Sequence, residues 1–169
     1  MIMNGEVIKI TRIWAMPNKH TFLIPPLLKI VERYRDVPQT KLDNKTWLDP
    51  FAGWHSPAEI TNDLNPLAPT EYHLEAAEFL AEQKGRLIHA DGAIFDPPYS
   101  LTQMSRAYKD FGLVFKGKEN PTGGFPRVRD LLSQLVRRDG YVVSFGWNTV
   151  GMGIKRGFTP VEYLICSHG

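Results

Sequence analysis

Residues 93–100 read AIFDPPYS, and the fold follows from this stretch. Ala93, Ile94 and Phe95 have the composition of a buried strand. Pro97 and Pro98 end it, because a proline has a fixed φ and no N–H to give to a sheet ladder. The resulting corner is stiff and extended, and it holds the Asp96 carboxylate and the Tyr99 ring at fixed positions. A plain turn would more often use Gly, Asn or Ser.

Working outward, the same grammar repeats. TWLDPFAG (46–53) reads as a short strand running into a turn, and EITNDLNP (59–66) as a second strand. TEYHL (70–74) is a candidate third strand, and EAAEFLAEQKG (75–85) a helix stopped by Gly85. Upstream, FLIPPLLKIVERYR (22–35) carries apolar residues at helical spacing behind Pro25 and Pro26, a good helix start. Downstream, residues 100–126 lack periodicity and read mostly as a loop. RVRDLLSQLVRRDG (127–140) spaces Val128, Leu131, Leu132, Leu135 and Val136 along one helical face, ending at Gly140. YVVSFGW (141–147) reads as a buried strand and PVEYLICSHG (160–169) as the last one.

Short apolar strands alternating with helices predict one α/β domain over residues 1–169. Its expected core is a Rossmann-like, doubly wound, mostly parallel sheet with helices on both faces. In such sheets ligands bind beyond the carboxyl ends of the strands. Three successive strands end in an acid: Asp49, Asp63 and Asp96. Asp49-Pro50 and the Asp63–Pro66 segment also read as ordinary turns when taken singly.

Composition sets the outer limits. The chain has 169 residues, 43% hydrophobic and 22% charged, enough for a real core. A net charge of +2 is too small to prove a nucleic-acid partner by itself. One cysteine, Cys166, allows neither an internal disulfide nor a cysteine-based zinc cluster, which fits a reducing cytoplasm. No stretch approaches eighteen apolar residues, and no signal peptide is expected at the start.

The set of segments resembles the S-adenosylmethionine-dependent amino-methyltransferases, and within them the adenine-N6 DNA methyltransferases. The resemblance runs from about Trp14 to Gly169. DPPY (96–99) looks like the catalytic motif, LDPFAG (48–53) like the turn that cradles the cofactor, and TNDLNP (61–66) like the second strand with its ribose-binding acid. NKHTFLIPP (18–26) resembles the segment that closes over the methionine part of the cofactor. The resemblance implies that Asp96 and the Pro97 carbonyl accept the two hydrogens of the target amine. Pro98 would stiffen the corner and Tyr99 would stack on a flipped adenine. It also implies S-adenosylmethionine as cofactor. Asp49, Pro50, Phe51 and Gly53 would lie on its methionine side and Asp63 on the ribose, with Thr21 and Phe22 in contact. Glu75 would reach the adenine end, with Asp91 as the alternative; Phe22 reads equally as a core aromatic. No metal is needed for this chemistry.

Four features depart from the family pattern. His55 stands where a second turn glycine is usual, and the connection after it, WHSPA, is short for a parallel crossover. One further edge strand is expected after the last strand read here, so that edge reads as missing, which makes a homo-oligomer through it an expectation. A separate target-recognition domain is also missing. The 100–129 loop is the candidate substitute: Arg106, Lys109, Lys116, Lys118 and Arg127 alternate there with aromatic residues, a pattern suited to DNA. Other acceptors stay open. DPPY also serves enzymes that methylate guanine in ribosomal RNA, a related NPPY serves protein glutamine, and an idle cofactor fold that binds a partner is the alternative of another class.

Overall fold

The strand leading into the Asp96 corner is the centre of the molecule. The structure, a computed structural model, describes residues 2–3, 6–37, 45–87, 89–100, 102, 105, 108–109, 112 and 125–167. In chain order the described elements are β1 (Ile2–Met3), β2 (Glu6–Val7), β3 (Lys9–Trp14), α1 (Pro25–Arg35), β4 (Trp47–Asp49), β5 (Ile60–Thr61), α2 (Ala76–Arg86), β6 (Ala90–Phe95), α3 (Pro126–Leu135), β7 (Val136–Ser144) and β8 (Glu162–Ser167). The protein is α/β, with parallel strands in two sheets.

The main sheet has the order β5-β4-β6-β7, every pair parallel. Successive side chains of a strand point to opposite faces. Ala93 and Phe95 accordingly join one cluster, with Phe79 and Leu80 of α2 and Val128, Leu132 and Leu135 of α3. Ile94 joins another, with Trp47, Phe22, and Ile30 and Val31 of α1. Gly92 has a steric reason to be glycine: a Cβ there would lie 2.5 Å from the Trp47 indole.

The second parallel pair was not foreseen. β3 pairs with β8 along its whole length, from Lys9 opposite Glu162 to Trp14 opposite Ser167. Glu162 fastens this pair to α1. It accepts hydrogen bonds from the Tyr34 hydroxyl at 2.8 Å and Arg33 at 3.1 Å, and it pairs with Lys9 at 3.3 Å. One edge of the last strand, expected to be bare, is therefore filled by a strand from the start of the chain. β1 and β2 form a small antiparallel pair.

Several element bounds differ from those the spacing predicts. The 127–140 helix ends at Leu135, because Val136 is already paired with Ala90; Arg137 to Gly140 then loop out opposite Asp91, with Asp139 at φ 65°. The 59–66 strand shrinks to Ile60–Thr61, and the 70–74 strand to a single bridge between Asn62 and Tyr72. Gly85 lies within the last turn of α2 instead of beyond it. Among the described residues no helix is long and apolar enough to cross a membrane.

Candidate active site

Parallel pairing puts the acids side by side. Leu48 of β4 sits opposite Ala93 of β6, so Asp49 ends one strand beside the strand that delivers Asp96. β5 lies on the other side of β4 and delivers Asp63.

Asp96 is held between two hydroxyls. Thr21 Oγ1 donates to one carboxylate oxygen at 2.6 Å, and the Tyr99 hydroxyl donates to the other. Burial pushes the Asp96 carboxyl above its ordinary range, and the two donors work against that push. The Tyr99 phenol is pushed up too, first by burial and then by the Asp96 charge. Pro97 is buried, while Pro98 and Tyr99 are half-buried.

Asp49 is fully buried. Its two oxygens accept from Ser56 Oγ at 2.6 Å and from the Phe51 N–H at 3.0 Å. Burial raises its pKa to about 7; the donors oppose the rise, and the charges of Asp96 and Asp63 add to it. Asp63 accepts from the Gly53 N–H at 2.9 Å and the Asn65 N–H at 2.7 Å, and so ties the end of β5 to the turn after β4. Gly53 has φ 57°, the left-handed region that favours glycine, with no atom within 4 Å of where a Cβ would stand.

Asn62 fixes that turn from beneath. It is fully buried, and its amide donates to the carbonyls of Pro50 and Leu74 at 3.1 and 3.0 Å. Its side-chain oxygen accepts from the Leu74 N–H at 2.9 Å. Phe51 packs edge-on against Phe95 and Phe125, at 6.0 and 5.2 Å between ring centres.

A cavity of about 140 Å³ opens between these parts. Lys19, His20, Thr21 and Phe22 line it from the segment before α1; Phe51, Ala52, Gly53, Trp54 and His55 line it from the turn; Asp96 closes it. The rings of His20 and His55 meet edge to face at 5.1 Å. Burial, then the charges of Lys19 and His55, lower the proton affinity of His20.

Thr21, Phe51, Gly53 and Asp96 thus converge on the cavity; Asp49 and Asp63 are tied to it through the Phe51 and Gly53 N–H groups, and Pro50 and Glu75 do not line it. Phe22 serves twice: it is 5% exposed, packs edge-on against Phe145 at 5.9 Å, and also lines the cavity. Glu75 precedes α2 and accepts from the Tyr108 hydroxyl. Asp91 is occupied elsewhere, by the Thr46 N–H at 2.9 Å and Arg137 at 3.0 Å. Lys109 and Arg127 are exposed. Arg129 stacks over the Phe95 ring at 5.3 Å. Arg106, Lys116 and Lys118 lie outside the described residues.

Ser56, Asn62, Lys19, His20 and Trp54 were not singled out by sequence reasoning. Lys19 and His20 lay within the NKHTFLIPP segment read as closing over the cofactor, and Asn62 carried a local signal as a polar residue at a strand end directly before an acid. No family model matches the chain, and no curated protein or solved structure matches it.

Proposed function

We propose that this chain transfers a methyl group from S-adenosylmethionine to the N6 amine of an adenine flipped out of DNA. One observation carries this reading: Thr21, the turn residues Phe51 to His55 and Asp96 come from three separate segments and surround one cavity. Those are the segments on which the family resemblance rests. The finer fold reading goes with it: a Rossmann-like, doubly wound sheet with helices on both faces. The parallel order β5-β4-β6-β7 supports it, as does the division of Ala93 and Ile94 between two clusters with different helices. Such an enzyme would work in the cytoplasm.

The residues around the cavity fit the cofactor. Gly53 leaves open space at the turn and Lys19 offers a cation for a carboxylate; Asp63, outside the lining but bonded to the Gly53 N–H, would take the ribose hydroxyls. Phe51 and Trp54, both in the lining, would supply aromatic rings for a sulfonium charge. The enclosed volume of about 140 Å³ suits one end of the cofactor, not the whole; ordinary ligand pockets start near roughly 300 Å³. When bound, S-adenosylmethionine supplies an electrophilic methyl carbon on sulfur.

This chain's part is orientation and polarity. The exocyclic amine of adenine is a poor nucleophile, since its lone pair is delocalised into the ring. Asp96 accepts one of its hydrogens and the Pro97 carbonyl the other, which lets the nitrogen pyramidalise. The nitrogen would gain the methyl group as the methyl–sulfur bond breaks, the sulfur leaving as a neutral thioether, and would give up one proton to Asp96 and on to solvent. Half-buried Asp96, with its raised proton affinity, is a stronger acceptor than a solvated carboxylate. In the resting contacts both Asp96 oxygens are taken, so substrate entry exchanges the Tyr99 hydroxyl for the amine. Most of the acceleration then comes from preorganisation.

The test is to incubate the protein with labelled S-adenosylmethionine and either unmethylated duplex DNA or RNA, then identify the modified nucleoside by mass spectrometry. N6-methyl-2′-deoxyadenosine in the DNA hydrolysate supports the reading. Label confined to RNA, or to neither polymer while the cofactor binds, would move the function to another acceptor.

A further inference from the structure

We propose that Trp147 is a base-stacking residue of the same site, taking the face of a nucleobase next to the flipped adenine. This inference rests on the reading of the chain as a DNA methyltransferase.

Position comes first. The Phe145 N–H donates to the Phe95 carbonyl at 2.9 Å, one residue before Asp96. At Gly146 a Cβ would come 4.0 Å from the Tyr99 ring. The loop after β7 therefore runs directly beside the corner, and Trp147 is its next residue.

Exposure comes second. Trp147 is 89% exposed, the most exposed of the described large hydrophobic side chains. The loop that carries it is well anchored. Asn148 Oδ1 accepts from the Val150 N–H at 3.0 Å, the Tyr163 hydroxyl donates to the Thr149 carbonyl at 3.4 Å, and Met152 is buried at 4% exposure. Indoles are usually well buried, and an anchored loop that holds one in water keeps a large flat surface ready for a partner.

Chemistry comes third. Flipping a base out of a duplex breaks its stacking on both neighbours. An aromatic face beside the flipped position replaces part of that loss, and it does so for any base, since every base has a π-face. The side chain adds no charge, so its contribution depends little on salt, unlike that of phosphate-binding lysines and arginines.

The test uses the full chain with S-adenosylmethionine present. Trp147→Ala and Trp147→Phe are compared with the wild type for duplex DNA binding by anisotropy, for KM toward DNA and for cofactor binding. Trp147→Ala is expected to weaken DNA binding by roughly five- to 150-fold and to raise KM for DNA, with cofactor binding unchanged. Trp147→Phe, which keeps an aromatic face, is expected to restore most of the loss. DNA is expected to quench the tryptophan emission of the wild type more than that of Trp147→Phe. A wild type that methylates DNA alongside a Trp147→Ala that binds it equally well overturns this inference alone. A wild type that neither binds nor methylates DNA overturns the functional reading and this inference together.

Discussion

Asp96 sits between Thr21 and Tyr99, and both hydroxyls favour its ionised form against the burial that disfavours it. The ionised carboxylate is the stronger acceptor and the form that can take a proton, so activity should fall as pH drops through its titration. Tyr99→Phe keeps the ring and removes one donor. The acid limb of the methyl-transfer pH profile should move to higher pH in that variant; an unmoved limb would show that the hydroxyl does not govern the acid. The corner was legible because its prolines dictate backbone geometry locally. The partners around it were not. Thr21 reaches Asp96 across 75 residues and His55 meets His20 across the cavity mouth, contacts that no spacing along the chain encodes. Asp49, Asp63 and Gly53 were readable as strand ends and a turn, but not the bond from the Gly53 N–H to Asp63 that joins them.

At the scale of elements, the turn after β4 depends on Asn62, and the β4–β6 contact depends on the absence of a side chain at Gly92. Asn62→Ala leaves the Pro50 and Leu74 groups buried without their partner; the expected loss is about 3 kcal/mol. Gly92→Ala drives a methyl group into the Trp47 ring; overpacking of this kind costs about 1–3 kcal/mol or more. Both are read as lower urea midpoints with an unchanged slope. A midpoint unchanged in either variant would contradict the packing described. Apolar periodicity revealed α1, α2 and α3 because each buries a stripe. It overran the end of α3, since Val136 lies one turn after Leu132 and continues the stripe while already paired to Ala90. β3 escaped notice for the opposite reason. Ile10 and Trp14 are 46% and 61% exposed, so the alternation of KITRIW does not mark a core-facing side.

For the whole molecule, the buried acids make stability depend on pH in opposing senses. Asp49 has a pKa raised from the ordinary 3.8 to about 7, so the folded state holds its proton more tightly than the unfolded chain. Its stabilising contribution is complete below about pH 4 and is lost as pH rises through 7, a difference on the order of 4 kcal/mol. Glu162 acts in reverse. Burial pushes its pKa up, but the Tyr34 hydroxyl, Arg33 and Lys9 outweigh it and hold the carboxyl low, so its contribution is lost on acidification. Asp49→Asn isolates the first effect: its stability relative to the wild type should rise steadily from pH 4 to pH 8. A difference that stays constant would contradict the burial assigned to Asp49. The central claim is that these strands bring their acids together to activate an amine. The most direct measurement is the rate of labelled methyl transfer from S-adenosylmethionine to unmethylated duplex DNA, wild type against Asp96→Ala. Label is expected on adenine N6 in the wild type and lost in the variant while cofactor binding persists. Equal label in both proteins, or none in the wild type with the cofactor bound, would contradict it.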